Sequence, residues 1–196
     1  MIITGKYPSL RLRRNRRNDW VRRLVEEHKL GINDLILPIF IIDGKNKKVK
    51  IKDMPNIYRY SIDKLPSVLD KAVKLKIPMV ALFPYTKKKY KDKQGKESLN
   101  ENNLVCRALR FIKKRYKNNI GIMCDVALDP YTSHGHDGIL KNKIILNDET
   151  NEILIKQSLL QAEMGCDVLA PSDMMDGRIG LIRNELDKND YKDVQI

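Results

Sequence analysis

The sequence predicts an α/β protein built from βα units on a parallel sheet, and three observations carry that reading. From Asp34 onward, short β-rich runs alternate with segments of helical periodicity. The polar, Asp-rich loops follow the strands, at their carboxyl ends, where such folds gather their chemistry. With 196 residues, 42% of them hydrophobic, the chain can bury a core, which excludes general disorder.

The elements follow in order. Leu35–Ile42 reads as a buried strand. Leu65, Val68, Leu69, Ala72 and Val73 share one helical face, with Pro66 tolerable in the first turn. Met79–Phe83 is the second strand, stopped by Pro84, and a Lys-rich loop leads to Asn100 as an N-cap. The helix after it carries Leu104, Ala108, Phe111 and Ile112 on one face, and Ile120–Leu128 is the third strand. A long connection, Asp129 to about Asp148, precedes a helix with Ile153, Ile155, Leu159, Leu160 and Ala162; loops of that length in compact domains are usually functional. Val168–Ala170 is the fourth strand. Asp176 can cap a short helix in which Ile179, Ile182 and Leu186 point inward, and Asp193–Ile196 opens a fifth strand. Four βα units and a strand stub fit either half of an eight-unit barrel of about 250 residues or a five-stranded flavodoxin-like sheet. The missing helix after the last strand favours a fragment.

Lys+Arg number 38 against 25 Asp+Glu, a net charge of +13. Nine of those cations and only three acids lie in residues 1–30, and most of the remaining excess is Lys in 45–52 and 87–96. Such a balance admits a basic nucleic-acid-binding module, although Lys-biased solvated loops account for the two later clusters. No apolar run approaches the roughly 20 residues of a membrane span, and the basic start lacks the apolar stretch of a secretory signal, so a soluble, cytoplasmic chain is expected. Cys106, Cys124 and Cys166 make neither a CxxC pair nor an even disulfide framework and read as reduced, buried thiols. There is no glycine-rich phosphate loop.

The densest chemistry follows the third strand, in Asp125-Val-Ala-Leu-Asp129-Pro-Tyr131-Thr-Ser-His134-Gly-His136-Asp137-Gly138. Period-2 alternation puts Asp125 and Asp129 on one face of the strand, and burying two carboxylates is costly unless they meet cations, metal or donors. Asp129, His134, His136 and Asp137 could bind a divalent metal, as in a metal-dependent hydrolase. Alternatively the carboxylates could orient an amine and shuttle protons, or the histidines could merely bond backbone around Gly135. A second segment, Ala170-Pro-Ser172-Asp173-Met-Met-Asp176-Gly177-Arg178, offers Ser172 as a donor and Arg178 as a fork for a carboxylate. Asp173 and Asp176 could equally be helix caps.

These two segments, DVALDPYTSHGHDG at 125–138 and APSDMMDGRIG at 170–180, resemble those of the porphobilinogen synthase (delta-aminolevulinic acid dehydratase) family. Supporting matches are RLRRNRRNDWVRRLVEE at 11–27, LPIFI at 37–41, ALFPYT at 81–86, NLVCRALR at 103–110, LNDET at 146–150 and DVQI at 193–196. The resemblance implies a (β/α)8 TIM barrel with an extended N-terminal arm, of which the first four βα units and the start of strand five are present. Residues 1–33 would be the arm that assembles a homo-octamer, with Arg11, Arg13, Arg14, Arg16 and Arg17 meeting a partner chain and Trp20, Val21, Leu24 and Val25 forming an apolar face. Residues 34–196 would be the incomplete barrel.

The implied activity is that of a lyase of heme biosynthesis: two molecules of 5-aminolevulinate condense to porphobilinogen with loss of two waters. It involves no nucleic acid and no membrane. Zinc-using relatives have three cysteines where this chain carries Ala127, Asp129 and Asp137, so the resemblance implies no catalytic zinc and dependence on Mg²⁺ or a monovalent cation. Asp125, Asp129, Asp137 and Ser172 would line the pocket for the second substrate's amine, with Tyr131, His134, His136 and Arg178 as secondary candidates. The Schiff-base lysines, the arginines that hold a substrate carboxylate, the lid and the Mg²⁺ ligands would lie beyond the position of Ile196. None of the 25 lysines is expected to point into the barrel, so no catalytic residue is assigned and the chain alone is expected to be inactive.

Overall fold

The computed structural model describes residues 5–196, so the first four residues of the expected arm lie outside the described residues. The chain divides into two compact units, one ending at Asp34 and the other spanning Leu35–Ile196. In the first, a 3-10 turn at Leu12–Arg16 precedes helix α1, Asp19–Leu24. Asp19 pairs with both Arg22 and Arg23, an i, i+3 and i, i+4 fork on an exposed surface. Neither element buries a residue, and Trp20 and Leu24 are exposed.

The second unit is a six-stranded sheet in the order β2-β3-β1-β4-β5-β8. Its strands are β1, Ile36–Ile42; β2, Lys48–Lys50; β3, Tyr58–Tyr60; β4, Met79–Tyr85; β5, Gly121–Val126; and β8, Val168–Pro171. Every pairing is parallel except β2 with β3. Gln195 adds a parallel bridge to Val168, where the sequence predicts a fifth strand. The remaining strands, β6 (Ile139–Lys141) and β7 (Ile144–Leu146), form a separate hairpin inside the long connection. Its two-residue turn, Asn142-Lys143, has both φ values positive, the geometry whose twist matches flanking strands.

Register sorts the sheet residues onto two faces. Pro38 pairs with Ala81, Ala81 with Met123 and Met123 with Val168; two residues on, Phe40 pairs with Phe83 and Asp125 with Ala170. These side chains share one face, because successive residues of a strand alternate. On the other face Ile39, Ile41, Val80, Leu82, Ile122, Cys124, Val126 and Leu169 are all at most 2% exposed. They pack against helices α2 (Pro66–Lys74), α3 (Leu104–Tyr116), α4 (Asn147–Glu163) and α5 (Arg178–Lys188) through a core that includes Leu69, Leu109, Leu154 and Ile182. Strand β1 is therefore buried on one face only, with Ile36 and Pro38 exposed, where the sequence reads as buried throughout.

Several boundaries move for physical reasons. Strand β4 runs through Pro84 to Tyr85, since the proline sits near the strand's end and stays paired in register with Ile41. The N-cap of α3 is Asn103, whose side chain accepts from Cys106 N at 2.8 Å; Asn100 instead accepts from Asn102 N in a local turn. Gly177, with φ +77°, precedes α5, so Asp176 is not its cap, and Ile179 is exposed while Ile182 and Leu186 are buried. Helix α4 buries Thr150, Asn151, Gln157, Ser158 and Gln161 beside Leu154, Leu160 and Ala162. Of these, Gln157 and Gln161 donate to carbonyls of β5 and the residues just after it, whereas Thr150 bonds the hairpin at Ile139 and Asn151 the Asp176 carbonyl.

Candidate active site

The carboxyl ends of β1, β4 and β5 open into a cleft of about 820 Å³, within the range that holds small ligands. Phe40 and Phe83, ring centroids 5.6 Å apart, line it together with Asp125. Asp129 and His134 line it from the loop after β5. Ser172, immediately after β8, donates to Asp125 Oδ1 at 2.5 Å, joining the carboxyl ends of two neighbouring strands through side chains, although Ser172 does not itself line the cleft.

The strand that presents Asp125 is held from behind. Gln161 Nε2 donates to the Asp125 carbonyl at 3.0 Å, and Gln157 Nε2 donates to the Ala127 carbonyl at 3.2 Å, where the strand has already ended. Both glutamines are buried. Gln161→Met keeps the volume and orphans a buried carbonyl, so it is expected to cost about 1–3 kcal/mol in urea unfolding.

Burial, chiefly, raises the Asp125 carboxyl above its ordinary value; the Ser172 bond opposes this, and Asp129 and Asp173 add to it. Asp129 is raised by burial and by Asp137, against Lys91. Asp173 is raised by burial and by Asp137, against the Met175 N–H and Arg178. Carboxyls held high in this way can exchange protons nearer neutrality than free aspartate, as acid–base work requires.

The other expected residues stand as follows. Asp137 does not line the cleft but lies near enough to act on Asp129 and Asp173, and its Oδ1 is 2.7 Å from His136 Nδ1. Backbone N–H groups of His136 and Gly138 donate to His134 Nδ1 and His136 Nδ1, each at 3.2 Å, the local turn bonding foreseen around Gly135. Arg178 donates to the carbonyls of Met175 at 2.6 Å and Asp173 at 2.8 Å and faces Asp173 Oδ2 at 2.9 Å, so its fork is spent locally. Tyr131 is 3% exposed and turns away, toward a small pocket lined by Asp43, Glu97 and Leu104.

Lys88 and Lys91, from the loop after β4, line the cleft, as does Arg59. Lys91 Nζ donates to the Asp129 carbonyl at 3.1 Å. The lysines follow β4 in a loop that the sequence reads as solvated, and Arg59 lies on β3, a strand too short to read. A Tyr-Arg-Tyr alternation at 58–60 is the one signal that could have found it.

Among the described residues, no group of three or more His, Cys, Asp or Glu is placed to hold a metal ion. The donor set thus fits neither a hydrolase metal centre nor a magnesium site. The three cysteines are free and buried, and burial pushes the Cys106 thiol up to about 11 and the Cys124 thiol well above its ordinary value, as in inert core thiols. No helix among the described residues is long and apolar enough to cross a membrane.

The family model described as delta-aminolevulinic acid dehydratase matches residues 9–196. The delta-aminolevulinic acid dehydratase of Bradyrhizobium diazoefficiens is 53% identical over 96% of this chain and 53% of its own length. That of Methanothermus sociabilis is 45% identical over 97% of this chain and 58% of its own length. The chain thus spans about half the length of these curated relatives. A crystal structure of the Toxoplasma gondii ME49 enzyme, described as porphobilinogen synthase in complex with the reaction product porphobilinogen, superposes with a TM-score of 0.87 at 38% identity, covering 94% of this chain and 52% of that one. The parallel sheet thus matches the porphobilinogen synthase barrel fold over about half of that chain's length, and the chain belongs to the delta-aminolevulinic acid dehydratase family.

Proposed function

We propose that this chain supplies the amine-recognising side of a porphobilinogen synthase, the lyase that joins two 5-aminolevulinate molecules into porphobilinogen with loss of two waters. The observation that carries the proposal is the Ser172–Asp125 couple, of which Asp125 lines the cleft, with the carboxyls of Asp125 and Asp129 raised chiefly by burial. At neutral pH a substrate amine arrives as an ammonium ion and must lose a proton before it can attack a carbonyl. An aspartate with a raised pKa can bind the ammonium, accept that proton and return it to a leaving water. Asp125 is the residue for this exchange, with Ser172 fixing one of its oxygens. Asp129 and Asp137 adjust the local charge.

Carbonyl activation by Schiff-base lysines, and the binding of Mg²⁺ or a monovalent cation, belong in this proposal to the part of the relatives' length that this chain does not span. The metal would supply charge neutralisation when bound, and no step assigned to these residues runs through it. The exposed Trp20 and Leu24 of α1 and the arginines around them are proposed as the assembly arm of a homo-octamer. Cytoplasmic location follows from the same reading. The test is a porphobilinogen colour assay on purified 1–196 with Mg²⁺ and 5-aminolevulinate, beside calorimetric titration of 5-aminolevulinate. Binding without colour is expected. Turnover would refute the division of labour, and absence of binding would refute the site.

A further inference from the structure

The lysine-rich loop between β4 and α3 is fastened along its length. At its start Lys87 pairs with Asp43, which also holds Arg107 of α3, at 3.2 and 3.0 Å. At its end the Asn103 side chain donates to the carbonyls of Glu97 and Ser98 while it caps α3. In between, the loop is zipped to the aspartate loop after β5. Asp92 N donates to the Tyr131 carbonyl at 3.2 Å and Ser133 N donates to the Asp92 carbonyl at 2.7 Å, which makes a parallel bridge of Asp92 to Thr132. Lys91 Nζ adds its bond to the Asp129 carbonyl, at 3.1 Å. We infer that Asp92 and Lys91 are positioning residues, which act through the backbone of residues 129–133 to hold Asp129 beside Asp125 at the cleft. This inference rests on the reading of the cleft as the 5-aminolevulinate site and names what keeps one side of it in shape.

The zipper resumes the parallel direction of β4 and β5 after both strands have ended. Asp92 is shaped for it by its own side chain: Oδ1 accepts from Gln94 N at 2.8 Å and from Lys96 N at 3.2 Å, a turn that bends the chain away just after the bridge. Gly95, with φ +63°, completes that turn against the side chains of Leu128, Tyr131 and Thr132. Thr132, 1% exposed, passes the constraint onward, since its hydroxyl donates to the His136 carbonyl at 2.7 Å. Asp92 thus serves as an acceptor, a role that needs an oxygen and not a charge, so asparagine can fill it.

A loop is otherwise a poor place to fix a functional group, because ordering each backbone residue costs entropy. Three bonds from Lys91 and Asp92 order residues 129–133 within the fold, before any ligand arrives. Misplacing a functional group by about 1 Å can cost about 100-fold. Loosening the zipper is therefore read in ligand binding more than in global stability.

Hydrogen–deuterium exchange of the 1–196 chain, beside calorimetric titration of 5-aminolevulinate, tests the inference, with circular dichroism as the folding control. Asp92→Ala is expected to speed amide exchange in the peptide covering 129–138 at least tenfold, to leave the β4 and β5 peptides unchanged, and to weaken 5-aminolevulinate at least tenfold. Asp92→Asn should restore both. Lys91→Met leaves the turn intact and should weaken binding at least threefold; it carries the test if Asp92→Ala fails to fold. Asn100→Ala breaks another turn of the same loop, at Asn102 N, and should match the parent in both measurements. Unchanged exchange at 129–138 in Asp92→Ala would overturn the inference, and so would faster exchange with parent-like binding. A loss in Asn100→Ala equal to that in Asp92→Ala would show general loosening of the loop and overturn it too. If the parent itself binds no 5-aminolevulinate, the reading of the cleft falls and the positioning role with it; if the parent and Asp92→Ala bind equally, only the positioning role falls.

Discussion

Asparagine at position 125 is expected to weaken 5-aminolevulinate binding by about 10–100-fold while leaving the fold as stable as the parent, or more stable. The loss follows from removing the charged partner of an ammonium: a hydrogen bond to a charged group contributes about 1.5–3 kcal/mol, and each 1.4 kcal/mol is about tenfold. The stability follows from the direction of the Asp125 shift. Its carboxyl is raised in the folded protein, mainly by burial, so between about pH 4, the unfolded aspartate value, and the folded value the native state binds more protons than the unfolded one. Stability therefore falls as pH rises through that window, and above it the full penalty of a buried charge remains. Asparagine carries no charge, yet its oxygen still accepts from Ser172. The variant's advantage in Tm should be present at pH 7 and vanish below about pH 4, as thermal unfolding across pH will show. A Tm advantage that grew on acidification would contradict this account.

Leu109→Ala is expected to cost about 2–5 kcal/mol, a large share of the 5–15 kcal/mol that typical domains possess. Leu109 is fully buried in α3, the helix that lies against β1 and β4 and joins the core behind the cleft. Truncation leaves a cavity between a helix and a sheet that are both fixed elsewhere. Asp167 accepts from Lys113 Nζ at 2.6 Å and from Ile122 N at 2.8 Å, tying the end of α3 to β5 and limiting collapse. Leu75→Ala, at a side chain 61% exposed just after α2, should change stability by less than about 0.5 kcal/mol. Urea unfolding measures both, with an unchanged m-value expected.

The parts of the fold legible in the sequence are those where burial is one-sided and regular. Ile39, Ile41, Val80, Leu82, Ile122 and Cys124 alternate with cleft-facing residues, and the faces of α2 and α3 repeat at helical spacing. Strands β2 and β3 were not legible, because Lys-Val-Lys and Tyr-Arg-Tyr are short, polar and at best half-buried. The β6–β7 hairpin was hidden because its turn uses Asn-Lys where Asn-Gly is the strong signal. Helix α4 carries buried Gln157 and Gln161, whose bonds to the Ala127 and Asp125 carbonyls appear only when the strand is seen beside the helix.

The site divides in the same way. Asp125, Asp129 and Ser172 could be found because they follow strand ends, and parallel sheets present such residues at one rim. Lys88 and Lys91 were lost among 25 lysines, two members of a run that composition alone explains. Arg59 was invisible without β3. Arg178 and Tyr131 looked available and are not at the cleft, since one spends its donors on nearby carbonyls and the other is buried behind the loop.

We propose that this chain recognises the substrate's amine but forms no Schiff base with its ketone. Borohydride trapping tests it most directly: 1–196 is incubated with 5-aminolevulinate, reduced, digested and mapped by mass spectrometry. No lysine should be labelled stoichiometrically, Lys88 and Lys91 included. Stoichiometric labelling of a single lysine, blocked by excess levulinate, would show that the chain carries its own nucleophile and would contradict the claim.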